Sequence, residues 1–260
     1  NFVSAAESTR KDERQSEQRT VQAFTEVSVS HGINLYLTQE KEISLRAEAT
    51  PEFLALLKTE VKGKTLKIYL DLKNKRFKEV DVDVYLSYQE LTRIEGSGGS
   101  DIETVNKMNS ESLTVSLSSG SDLKMQLSGH SLQMGLSSGS DAELVFEGKT
   151  VDVHASSGSD LELKADGLDK IKLNMSSGSD VDLDGSAAEL VVNASSGSDL
   201  DAYGFVAVNA DVSASSASDL NLTVVGELHA DASSASSISY KGNVKNPNVN
   251  TSSLGTVCGK

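Results

Sequence analysis

Seven aspartates stand at nearly equal steps through the last two thirds of this chain. They are Asp101, Asp122, Asp141, Asp160, Asp180, Asp199 and Asp219, with spacings of 21, 19, 19, 20, 19 and 20. Carboxylates at a fixed step support three kinds of chemistry. They can hold a divalent cation, act as a general acid–base pair, or close a backbone turn. Calcium takes about 6–8 oxygens at about 2.3–2.6 Å, whereas each step here supplies one carboxylate plus hydroxyls and carbonyls. Calcium is therefore expected only as a diffuse counter-ion along Asp122, Asp141, Asp160, Asp180, Asp199 and Asp219, and no cofactor is expected. Glycosidic cleavage needs two carboxylates whose environments push their pKa values apart. A catalytic pair is a local break in a pattern, and these carboxylates repeat. The densest acidic patch is expected where Asp182 and Asp201 lie outward beside the row. Turn closure by the aspartate side chain is the reading that repetition favours, and no catalytic residue is assigned.

Other reactive groups are sparse. His31, His130, His154 and His229 are scattered, and no shared metal site is expected from them. The serines lack a His/Asp pair that would activate a nucleophile. The Gly-Ser-Gly-Gly run at 96–99 is followed by neither a helix nor a lysine in the places a phosphate loop requires. Cys258 is the single cysteine, so this chain forms no internal disulfide and no zinc cluster.

The aspartates close a repeated pentapeptide. Ser-Ser-Gly-Ser-Asp occurs at 118–122, 137–141, 156–160, 176–180 and 195–199, then varies to Ser-Ser-Ala-Ser-Asp at 215–219 and Ser-Ser-Ala-Ser-Ser at 233–237. Apolar residues alternate before it (Leu113, Val115, Leu117) and after it (Leu123, Met125, Leu127). A period of two marks strands with one buried face. A glycine turn follows the second strand at Gly129, Gly148, Gly167, Gly185, Gly204, Gly226 and Gly242. Each unit reads strand, corner, strand, turn. About twenty residues per unit is too short for a helical repeat and suits one coil of a solenoid.

The expected fold is all-β: a parallel β-solenoid, or single-stranded β-helix, of about eight coils at roughly 4.8 Å per coil. A closed antiparallel barrel of hairpins is the alternative, but identical corners at equal spacing are what in-register stacking requires. The phase of the alternation places the aspartates outward. It also places the second serine of each pair (Ser119, Ser138, Ser157, Ser177, Ser196, Ser216) inward as a structural corner residue. No proline occurs between Pro51 and Pro247, which agrees with an unbroken ladder.

Residues 1–20 are charged and without apolar periodicity, and are expected as a flexible tether. Residues 21–95 are expected as a β-rich head or cap with one short helix at 51–58, Thr50 its N-cap and Pro51 its first residue. Residues 96–242 carry the repeats, and 243–260 form a terminal cap or tail. The net charge is −14: residues 1–95 carry 15 basic and 16 acidic side chains, and residues 96–260 carry 9 and 22. Such a rod repels nucleic acid and anionic membrane surfaces. No apolar run approaches the ~20 residues of a membrane helix. The chain opens at Asn1 with no leader in view and reads as a mature or trimmed product.

The segment Val27-Ser-Val-Ser-His-Gly-Ile-Asn-Leu-Tyr-Leu-Thr-Gln39 resembles the opening of the head GIN domain family of auto-transporter adhesins, with Gly32-Ile33-Asn34 as the name-giving triplet. Leu54–Leu57 followed by Lys58-Thr-Glu-Val61, then Leu66-Lys-Ile68, Gly96-Ser-Gly-Gly-Ser-Asp101 and Tyr240-Lys-Gly-Asn-Val-Lys-Asn-Pro247 continue the likeness over about 24–257. The ending Ser252-Ser-Leu-Gly255 departs from the family's usual turn. The resemblance implies an exported, often lipid-anchored envelope protein with a solenoid-like fold, in the periplasm, at the outer membrane or on the cell surface. It brings no catalytic residues. The function expected is a non-enzymatic scaffold or adhesin whose partner is an envelope protein or a glycan. The alternative is a carbohydrate-active β-helix protein that binds or cleaves polysaccharide.

Overall fold

The computed structural model describes residues 13–73 and 77–260. They form a β-solenoid of about nine turns, the class expected from the repeat, with about one turn more than the repeat suggests. Two strand stacks run the length of the rod. The first begins 57–62, 65–70, 26–29, 93–96, 112–117, 131–136. The second begins 15–19, 44–49, 82–88, 34–39, 101–104, 122–128, 141–147. All pairings from 26–29 and 34–39 onward are parallel, and the corner positions stay in register from coil to coil. Inward positions along each strand are apolar and almost fully buried, such as Leu113, Val115 and Leu117. The core is narrow, because many inward positions are alanine (Ala202, Ala207, Ala210, Ala214, Ala230, Ala232). Phe146 and Phe205 are among its largest side chains.

The corner differs from the sequence expectation in one respect. Ser119, Ser138, Ser157, Ser177, Ser196 and Ser216 do not pack inward; they are exposed. Their φ values are +58, +57, +59, +57, +59 and +53, and the following residue is left-handed as well, Gly120 at +68 for example. Two successive left-handed residues turn the chain and put the second serine outward, while the alternation resumes in its old phase, with Leu117, Ser121 and Leu123 all inward. The inward hydroxyl therefore belongs to the serine after the glycine: Ser121, Ser140, Ser159, Ser179, Ser198 and Ser218, each at most 1% exposed. All of these hydroxyls but that of Ser198 donate to carbonyls of the preceding coil, as Ser121 does to Gly96 at 3.0 Å and Ser179 to Ala155 at 3.2 Å. A left-handed serine costs about 1–2 kcal/mol. A backbone spine offsets that cost. Gly99 N–H donates to Ser119 C=O, Gly120 to Ser138, Gly139 to Ser157 and Gly158 to Ser177, at 3.0–3.1 Å.

The GIN triplet is the same corner one coil earlier. His31 and Gly32 are left-handed (φ +70 and +69), Gly32 N–H donates to Gly98 C=O at 2.9 Å, and Ile33 is fully buried where the repeat has serine. Asn34 pairs in register with Asp101.

Residues 21–95 thus supply both coils and cap. The chain lays down 26–39 between the coils 65–88 and 93–104. The antiparallel strands 15–19, 44–49 and 57–62, with the helix Pro51–Leu56, cover the end. Thr50 caps this helix without a side-chain hydrogen bond. Part of the expected tether is ordered: Gln15–Arg19 is a strand on 44–49, and residues 1–12 lie outside the described residues. Three expected turns, at Gly167, Gly185 and Gly204, lie inside the continuous strands Asp160–Ser176, Asp180–Ala194 and Asp199–Ala214. Register shifts there mark bulges, which bend the chain without ending the ladder.

Candidate functional site

The corner delivers one exposed side chain per coil. Asp101, Asp122, Asp141, Asp160, Asp180, Asp199 and Asp219 pair in register and face outward, as the phase of the sequence requires. The row extends beyond the repeat through Asn34 to Asp83, whose carboxylate accepts from Asn34 Nδ2 at 2.8 Å. Arg14 pairs with Asp81 and Asp83 and closes that end with positive charge.

Two residues further along each strand lies a second outward row. It runs Tyr85, Tyr36, Glu103, Lys124, Glu143, Glu162, Asp182, Asp201. Tyr36 and Tyr85 stack with centroids 5.0 Å apart, and the Arg46 guanidinium sits 4.1 Å over Tyr85. Lys124 Nζ is 2.9 Å from Glu143. A shallow groove of about 670 Å³ follows the two rows from Tyr36 to Asp182.

Like charges about 4.8 Å apart repel by roughly 0.9 kcal/mol in water. Partial burial, then Asp101 and Asp141, push the Asp122 carboxyl above its ordinary value, against a hydrogen bond to the Asp141 backbone. Burial, then Asp141, Asp180 and Asp182, do the same to Asp160. Asp182 rises through burial, then Asp201, Glu162 and Asp180, so the acidic patch expected around Asp182 and Asp201 is present. Glu162 moves the other way, because Lys164 donates to it at 2.7 Å.

These carboxylates form a line. No group of three or more His, Cys, Asp or Glu side chains among the described residues converges to hold a metal ion. The histidines stay apart. His31 sits in the GIN corner, His154 lies 3.5 Å from Asp152, and His229 lies 3.2 Å from Asp231. The stacked tyrosines escaped the sequence reading. Their signal was present, since Tyr36 follows Asn34 by the same two residues that separate Lys124 from Asp122.

A family model described as "putative auto-transporter adhesin, head GIN domain" matches residues 23–165 and again 142–244. The chain belongs to this family. Solved structures share this fold at low identity. A crystal structure of a putative adhesin from Parabacteroides merdae aligns with TM-score 0.74 and 11% identity, over 95% of this chain and 96% of that one. A putative adhesin from Parabacteroides distasonis gives 0.68 and 16%, over 95% and 97%. A putative lipid binding protein from the same species gives 0.65 and 14%, over 95% and 96%. No match is found among curated proteins. Among the described residues, no helix is long and apolar enough to cross a membrane.

Proposed function

We propose that this head GIN protein is a non-enzymatic, adhesin-like scaffold of the bacterial cell envelope that holds another macromolecule, an envelope protein or a glycan. Export to the periplasm, the outer membrane or the cell surface, with a lipid anchor as one means of retention, belongs to the same reading. The observation that carries it is the unbroken acidic ladder from Asp101 to Asp219. A hydrolase needs one carboxylate made unlike its neighbour, whereas the upward shifts at Asp122, Asp160 and Asp182 share the same causes, partial burial first and like-charged neighbours second. The ladder also sets a charge rule, because anionic polymers are repelled along that face. Family membership supports the reading.

The test pairs binding with turnover. The purified chain is applied to a glycan array and to fractionated cell envelopes, and the bound polysaccharides are analysed for new reducing or unsaturated ends. Retention without cleavage is expected. Shortened polysaccharide that depends on Asp182 or Asp201 would overturn the scaffold in favour of a carbohydrate-active protein.

A further inference from the structure

One outward row departs from the repeat completely. It runs Thr114, Gln133, Asp152, Lys172, Val191, Asp211, His229, Asn248 along the first strand of successive coils, changing residue at every step. Stacking alone does not dictate these side chains, in contrast with the aspartate row. At the C-terminal end of this row opens a groove of about 910 Å³, larger than the one beside the ladder. Both values fall in the range of about 300–1,000 Å³ that holds small ligands and sugar segments.

The composition of this groove is unlike that of the groove beside the ladder. Its charged groups nearly balance: Lys170 and Lys245 against Glu189, Asp211 and Glu227, with Lys170 and Glu189 paired at 2.9 Å. The remaining polar side chains are asparagine amides and one imidazole, and Leu190, Ala210 and Leu228 also line the groove. Two of them are held in place. Asn209 Oδ1 accepts from Glu227 N–H at 3.2 Å, which commits the amide oxygen and leaves its N–H donors without a protein partner among the described residues. Gly226 makes room for this amide, since a Cβ there would lie 3.0 Å from Asn209 Oδ1 and 2.6 Å from Val208 C=O. His229 is oriented by Asp231, whose other carboxylate oxygen accepts from Asn250 at 2.7 Å. Its Nδ1 is buried and has no hydrogen-bond partner among the described residues.

We propose that this groove is a binding subsite for an uncharged oligosaccharide, contacted by Asn209, His229 and Asn248 and positioned by Asp231. The inference rests on the scaffold reading and names its ligand class. A charge-balanced, amide-lined groove offers donors and acceptors to hydroxyl and acetamido groups. It gives an anion little attraction, and the ladder attracts cations more strongly. Amides and an imidazole held by neighbouring groups lose little conformational entropy on binding.

The test uses the whole chain, with chitotetraose and cellotetraose as neutral probes and hexalysine and a heparin oligosaccharide as charged ones. Backbone amide resonances are followed in ¹H–¹⁵N spectra up to about 10 mM probe, enough to see a single weak subsite. A neutral probe should shift Asp211, His229 and Asn248. The pair Asn209→Ala/His229→Ala should weaken that binding about tenfold or more, and Asp141→Asn/Asp160→Asn should not. Asn248→Ala, on an exposed terminal strand, repeats the test if the double variant loses its fold. The inference is overturned if no neutral probe shifts these residues, if only a charged probe does, or if the ladder variant alone abolishes binding. If it fails while an envelope fraction still binds without cleavage, the scaffold reading stands. Cleavage of either neutral probe would remove both.

Discussion

The corner serines show how much one dihedral decides. Ser157 is left-handed and exposed, whereas Ser159, two residues on, is fully buried. Ser159→Leu should overpack the corner and cost about 1–3 kcal/mol, and Ser157→Leu should cost less. Urea melts of the two variants check this, and equal losses would contradict the corner geometry. The aspartates give a second residue-scale expectation, in pH. Asp122 and Asp160 have folded pKa values above the unfolded value of about 3.9. Such groups favour folding most when protonated. Their contribution is complete below the unfolded pKa and is lost as pH rises through the folded one. Asp122→Asn with Asp160→Asn should therefore raise the melting temperature at neutral pH, and the gain should vanish below about pH 4. A gain that persisted in acid would show that repulsion and burial of the charges are not its cause.

At the scale of the element, the coil is the unit. Asp141 pairs with both Asp122 and Asp160, so residues 141–159 are one complete turn. Excising them joins Ser140 to Asp160 in the phase that Ser140–Asp141 had. The shortened chain should fold with unchanged circular-dichroism shape and a smaller urea m-value, because less surface is buried. Excising residues 141–150 instead should abolish cooperative unfolding, since the next inward residues would arrive out of phase. The ladder is an element too, and its response to cations follows from its linearity. Calcium should gather along it without a fixed ligand shell. Chelator should leave the fold intact, and millimolar calcium should move the melting temperature little. A specific site would instead stabilise by about 2.7 kcal/mol at a hundredfold excess over its dissociation constant. A large calcium-dependent rise, lost in Asp160→Asn/Asp180→Asn, would contradict a diffuse ladder.

For the whole molecule, the two ends are built differently from the middle. Antiparallel strands, the helix Pro51–Leu56 and the charged strand Gln15–Arg19 cover the N-terminal end, where an open parallel edge would invite association. Charges on such an edge, here Glu17, Arg19, Lys58, Glu60 and Lys62, oppose pairing with another chain. The repeat spacing and the period-two alternation determined the solenoid, the inward residues of each strand and the outward aspartate row. They could do so because parallel in-register stacking turns a sequence period directly into a spatial one. The same alternation misplaced Ser119 and its equivalents, because period two holds only within a strand and two left-handed residues interrupt it. Residues 26–39 read as part of a head, yet they form a coil between two others. No local pattern states which coil a strand joins when the chain returns from a cap. The groove at Asn209, His229 and Asn248 was equally hidden. Its residues lie about twenty positions apart with no shared motif, and only the stacking of coils brings them side by side.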